Sequence, residues 1–125
     1  MVTPRASSFF TRKKCRPCEG SVKPLTEAQA AGYLKKLDQW ALSAEGGSID
    51  KEYRMLDFMA AVQFIRRIAR LAEAEGHHPD LYLTHYRKLK IEISTHAIGG
   101  LSENDFILAA KIDKLPKLLV LNKIN

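Results

Sequence analysis

Nowhere in this chain does an apolar run approach the roughly 20 residues that a helix needs to cross a bilayer, and this excludes a helical membrane span. The opening stretch, MVTPRASSFFTRKK, also lacks the apolar segment of ~7 to 15 residues found in secretory signals, so secretion is not indicated. There is no internal repeat and no low-complexity segment. Cysteine is scarce: only Cys15 and Cys18, within CRPCEG, are present. Their C-x-x-C spacing could be half of a zinc site or a redox pair. The second ligand pair is missing, however, and residues 10 to 25 do not resemble the helix start of a βαβ unit, so an arm carrying two reduced thiols is expected. Acid is absent before Glu19, whereas Arg5, Arg12, Lys13, Lys14 and Arg16 all precede it. Beyond Arg16 the chain carries 15 basic and 14 acidic residues, so the net charge of +6 belongs to the arm and not to a folded face. That distribution argues against a nucleic-acid surface. It suits a solubilising tail, or the remnant of an organelle-targeting peptide, on a protein otherwise expected in the cytoplasm.

What is there is one globular domain's worth of chain: 125 residues, 46% hydrophobic and 27% charged. The composition shifts near Pro24, dividing a basic arm (1–23) from a single domain (24–125). Thr26 and Gln29 form a capping-box pattern ahead of Ala30, Tyr33, Leu34 and Leu37, which recur with helical spacing up to about Asp38. Residues 40 to 56 read as a hairpin turned at Glu45-Gly46-Gly47. Asp57 can cap a second helix whose stripe is Phe58, Val62, Ile65, Ala69 and Ala72, and Gly76 supplies its end. Leu81 to Tyr86 and Leu89 to Thr95 form a second strand pair. Ser102 and Asp105 open a third helix, which Pro116 stops. The order α-β-β-α-β-β-α predicts an α+β fold in which a four-stranded antiparallel sheet carries three helices on one face. The other face would be partly open, so self-association is expected.

Three of the four histidines lie at element ends. His77 and His78, in EGHHPD, follow the second helix, and His96 closes the fourth strand; the hairpin would bring both places to the same end of the sheet. Pro79 restricts His78 to extended backbone and stiffens the turn. Imidazoles with an ordinary pKa of about 6.5 can donate and accept protons near neutrality, so an acid-base pair is one reading. A ring capping the preceding helix is another. A metal site is a third, although no Asp or Glu is obviously placed to orient the rings. His85 falls in the hairpin and is assigned no chemistry.

The segment EAEGHHPDLYLTHYRKLKIEISTHAIGGLSENDFILAAKID resembles the signature half of the pterin-4a-carbinolamine dehydratases. It combines Glu73, His77, His78, Pro79, a tyrosine before the fourth strand, the Thr95-His96 pair and the GGLSENDF helix start, and the element order agrees from about Leu25 onward. The resemblance implies a cofactor-independent, metal-free hydro-lyase that dehydrates 4a-hydroxytetrahydrobiopterin to quinonoid dihydrobiopterin in tetrahydrobiopterin recycling. It implies catalytic roles for His77, His78 and His96, with His77 and His96 as general acid and base and His78 orienting the pterin. Pro79, Thr95, Ala97 and Ile98 would shape the substrate site with them. Two departures bear on substrate preference: Ala97 stands where animal forms have an acidic residue, and Ser94 where many bacterial and plant forms have tryptophan. The resemblance also implies a homo-oligomer, tetramer or dimer. Its alternative is a protein-binding scaffold, such as a transcription-factor dimerisation cofactor or a Rubisco assembly factor, with the basic arm available to a protein partner.

Overall fold

The computed structural model describes residues 6–17 and 22–120, and Cys18 lies outside them. A short helix, α1 (Ala6–Thr11), precedes α2 (Glu27–Leu34), β1 (Ala41–Leu42), β2 (Ile49–Arg54), α3 (Phe58–Glu75), β3 (Asp80–Thr84), β4 (Lys88–Ile93), a 3₁₀ turn at His96–Ile98, and α4 (Glu103–Lys114). From α2 onward this is the expected order. The chain is α+β, and the sheet is antiparallel throughout with strand order β1-β2-β4-β3.

The elements start and stop where local chemistry requires. Thr26 and Gln29 close a reciprocal capping box on α2, and the Asp57 carboxylate accepts from the Ala60 N–H at 2.8 Å at the start of α3. Gly76 ends α3 in the left-handed region, at φ 66°, a conformation that costs glycine little. His85 and Tyr86 also have positive φ (46° and 52°) and turn β3 into β4.

Register decides the faces. Ile49 pairs with Ile93, Tyr53 with Leu89, Leu81 with Ile91 and Leu83 with Leu89. One face of the sheet therefore offers Ile49, Tyr53, Leu89, Ile91 and Ile93, all buried, to Phe64 and Ile68 of α3 and Phe106, Leu108 and Ile112 of α4. Alternate residues Lys88, Lys90 and Glu92 point to the other face. The same antiparallel pairing sets Asp80 opposite Glu92, so the turn after α3 and the loop after β4 share one end of the sheet.

The N-terminal arm departs from the expectation of a solubilising tail. Phe10 is 0% exposed and belongs to the same core as the sheet, set edge-on to Tyr33 and stacked with Phe106. A single phenylalanine on a short helix is enough to dock this basic segment, while its neighbour Phe9 stays exposed, and the flanking cations do not prevent the burial of Phe10.

The loop holding His96 is closed by Thr95 and Gly100, which bond each other's backbone in both directions (2.9 and 3.4 Å). Gly100 lies under Pro24: a Cβ there would sit 2.8 Å from the Pro24 Cβ, in a rigid ring that cannot swing aside. Gly100→Ala is therefore expected to destabilise the fold by about 1–3 kcal/mol, the range for overpacking. Urea denaturation measures this, and an unchanged midpoint would contradict the packing.

Candidate active site

Four buried polar side chains meet where α4 begins. Thr95, Ser102, Asn104 and Asp105 are all below a tenth exposed, and Asp105 is 0% exposed. Its carboxylate accepts three hydrogen bonds: from the Ser102 N–H at 2.9 Å, the Thr95 hydroxyl at 2.8 Å, and the His77 Nε2–H at 2.7 Å. The Ser102 hydroxyl lies 2.8 Å from that of Thr95 and completes the set. An ionised carboxylate only accepts, so His77 carries its proton on Nε2 and leaves Nδ1 for exchange with a ligand. The histidine is held from both sides. Its main-chain N–H bonds the Ala72 carbonyl at the end of α3, and its ring, with a side chain 12% exposed, leans on α4.

His78 follows immediately and pairs with a different carboxylate. Its side chain is 60% exposed, and Nε2 lies 2.6 Å from the Glu73 carboxylate, one turn back on α3. The expectation that no carboxylate orients the histidines is thus wrong twice over, for Asp105 and for Glu73. Both pairings join residues that are separated in sequence, by 28 positions for His77 and five for His78, and each becomes visible only when the helix ends are placed.

His77, His78 and His96 line one cavity of about 260 Å³, together with Gly76, Ser94, Thr95 and Ala97. The sheet register accounts for this, since the turn after α3 and the loop after β4 lie at the same end. Pro79 and Ile98 are not among the lining residues; Pro79 follows the histidine pair, and Ile98 is the last residue of the 3₁₀ turn that begins at His96. Among the described residues no group of three or more His, Cys, Asp or Glu side chains is arranged to hold a metal ion.

Three residues at the site escaped the sequence reading. Asp105 was fully explained as the capping partner of Ser102, and that local role hid its bond to His77. Asn104 and Arg16 sit within GGLSENDF and CRPCEG, but neither pattern gives them a role at the site. The Asn104 amide pairs with the main chain of Arg16, accepting from its N–H at 2.9 Å and donating to its carbonyl, so that Arg16 and Pro17 become part of the cavity wall. Cys15, beside them, is buried. Burial and then the neighbouring Glu75 charge push its thiol up to about 12, which keeps it protonated at neutral pH. Glu75 is shifted the opposite way. Burial would raise its carboxyl, but the Cys15 N–H and the Lys111 ammonium, 2.9 and 2.6 Å away, hold it below the usual range.

Comparison with known proteins identifies the chain's relatives. Residues 23–115 match the family profile described as pterin 4 alpha carbinolamine dehydratase. Pterin-4-alpha-carbinolamine dehydratase 2, mitochondrial, of Arabidopsis thaliana is 46% identical over 109 residues, covering 85% of this chain and 58% of the plant protein, so the chain spans little more than half of that relative's length. A relative in Methylococcus capsulatus is 42% identical over 106 residues, 85% of this chain and 92% of its own length. The crystal structure of a transcriptional coactivator/pterin dehydratase from Brucella melitensis superposes with a TM-score of 0.68 at 28% identity, covering 73% of this chain and 96% of that one. With the profile matched over most of its length, this chain belongs to the pterin-4-alpha-carbinolamine dehydratase family.

Proposed function

We propose that the chain is a hydro-lyase that converts 4a-hydroxytetrahydropterin to quinonoid dihydropterin and water, with His77 and His96 as general acid and base. The observation that carries this reading is the convergence of three imidazoles on one small cavity, one of them fixed in its tautomer by a buried carboxylate. At about 260 Å³ the cavity lies just below the ~300–1,000 Å³ range of ligand clefts, which suits a small heterocycle better than a polymer.

The chemistry needs no redox partner. The C4a–O bond breaks as one imidazolium protonates the departing hydroxyl. The N5 lone pair forms the new C=N bond, and a neutral imidazole takes the N5 proton. One proton is delivered and one removed, so the pair keeps its total charge with the proton now on the other ring, and proton exchange with solvent restores the starting state. Asp105 does not touch the substrate in this scheme. It is a positioning residue that keeps His77 on Nε2–H, and Thr95 and Ser102 hold Asp105. His78, paired with Glu73, borders the cavity as an orienting group.

A spectrophotometric assay on freshly generated 4a-hydroxytetrahydropterin tests the reading, with turnover expected to be the same with and without chelator. Asp105→Asn is expected to lower kcat about 10²-fold with a smaller change in KM, because an amide can present its own N–H to Nε2 and reverse the tautomer. A shifted pH–rate profile should accompany that loss. Equal kcat in the folded variant would remove Asp105 from the mechanism.

Exposed Phe58, Met59 and Leu118 favour protein contact as a second reading, in which the chain acts as a scaffold. A correctly folded protein that showed no dehydration at all would select it.

A further inference from the structure

The histidine cavity is completed by residues that precede the matched family region. That region begins at residue 23, yet Arg16 and Pro17 border the cavity. They are built in, not draped over it. Asn104 bonds the Arg16 main chain on both its N–H and its carbonyl. The buried Cys15 gives its N–H to Glu75 at 2.9 Å, Lys14 gives its ammonium to the Ala74 carbonyl at 2.8 Å, and Lys13 pairs with Glu103 at 2.5 Å. The backbone at Arg16 is therefore anchored while its side chain stays exposed, and its guanidinium has no hydrogen bond or ion pair among the described residues. Arg16, Pro17 and Asn104 also border a second cleft, of about 460 Å³, which Lys13, Lys14 and Glu103 line as well. Its lining carries three cations against one carboxylate, and Lys13 already engages that carboxylate.

An arginine anchored through its backbone and unpartnered among the described residues, between the histidine cavity and a cationic cleft, is suited to an anion carried by the ligand. Its planar fork matches a carboxylate or a phosphate with two parallel bonds. We propose that Arg16 is a specificity-determining residue, and that the substrate whose ring fills the histidine cavity is a pterin bearing a carboxylate or phosphate on its ring substituent. The substituent reaches past Arg16 toward the cleft that Lys13 and Lys14 line. This inference rests on the dehydratase reading and extends it to the substrate class.

The test compares kcat/KM for three 4a-hydroxytetrahydropterins generated in place, one with a neutral dihydroxypropyl substituent, one with a phosphate ester, and one with a carboxylate-terminated chain. At low salt the wild-type full chain is expected to prefer at least one anionic substrate by about 2- to 5-fold, the scale of an exposed charge contact. Arg16→Gln should remove most of that preference and Arg16→Lys should keep part of it. Added salt should weaken the preference in the wild type but hardly in Arg16→Gln. Preference for the phosphate ester alone, or for the carboxylate alone, identifies which anion the site takes. Turnover of the neutral substrate with no anionic preference, or a preference that Arg16→Gln leaves intact, overturns the inference while the dehydratase reading stands. No turnover of any substrate overturns both.

Discussion

Replacing both His77 and His96 with alanine is expected to reduce dehydration to the uncatalysed rate, while either replacement alone leaves a measurable enzyme. General acid or base assistance is worth ~10²–10⁴-fold per group, and expulsion of water from a carbinolamine is intrinsically easy, so each single change should sit at the low end, at about 10²-fold. The two variants differ in a second respect. His96 is exposed, and its loss should leave stability unchanged. His77 is one of three donors to the fully buried Asp105, and its loss leaves that carboxylate underbonded, at a cost of about 1–3 kcal/mol. Activity therefore has to be compared at a temperature where circular dichroism shows both variants folded. A folded double variant with wild-type turnover would sink the assignment of both rings.

Phe10→Ala is expected to have the largest effect on stability. A fully buried phenylalanine in contact with Tyr33 and Phe106 typically costs about 3–5 kcal/mol when truncated, a large share of the ~5–15 kcal/mol that holds a domain together. If the N-terminal segment were a solvated tail, the same change would cost less than about 0.5 kcal/mol. Urea denaturation separates the two outcomes. Thiol chemistry adds a local readout. In a Cys18→Ser background, native Cys15 should react slowly with a maleimide at neutral pH, because it is buried and its thiol is pushed up to about 12. Phe10→Ala should accelerate that reaction by letting the segment detach without global unfolding. Unchanged stability together with unchanged Cys15 reactivity would show that Phe10 does not anchor the segment. Removing residues 1–20 is for this reason a poor probe of a partner-binding arm, since it deletes a core side chain and two wall residues of the cavity at once.

Much of the fold was legible because its signals are local. Helix starts at Thr26, Asp57 and Ser102, the left-handed stop at Gly76, and the alternation that gives β2 and β4 one buried face each depend on a few neighbouring residues, and hydrogen-bond and side-chain periodicity act over that range. The gathering of His77, His78 and His96 at one sheet end also followed from the sequence, since an antiparallel hairpin necessarily returns the chain to the end it left.

What only the tertiary structure decided was which side chains meet across elements. Asp105 satisfies its helix start through Ser102, so nothing in its local pattern called for a second partner; packing α4 against the end of α3 brought the His77 ring to 2.7 Å from it. The N-terminal segment reads as polar and basic because burial is not a property of average composition. One aromatic side chain that packs against both Tyr33 and Phe106 is enough to dock it, and Glu75 and Asn104 then fix the backbone at Cys15 and Arg16. Residue types and spacing determined by themselves that two imidazoles would stand on a stiffened turn at the end of a helix. The carboxylate that holds one of them, and the arginine that borders their cavity, come from parts of the chain whose nearness is set by side-chain packing, which leaves no periodic mark in the sequence.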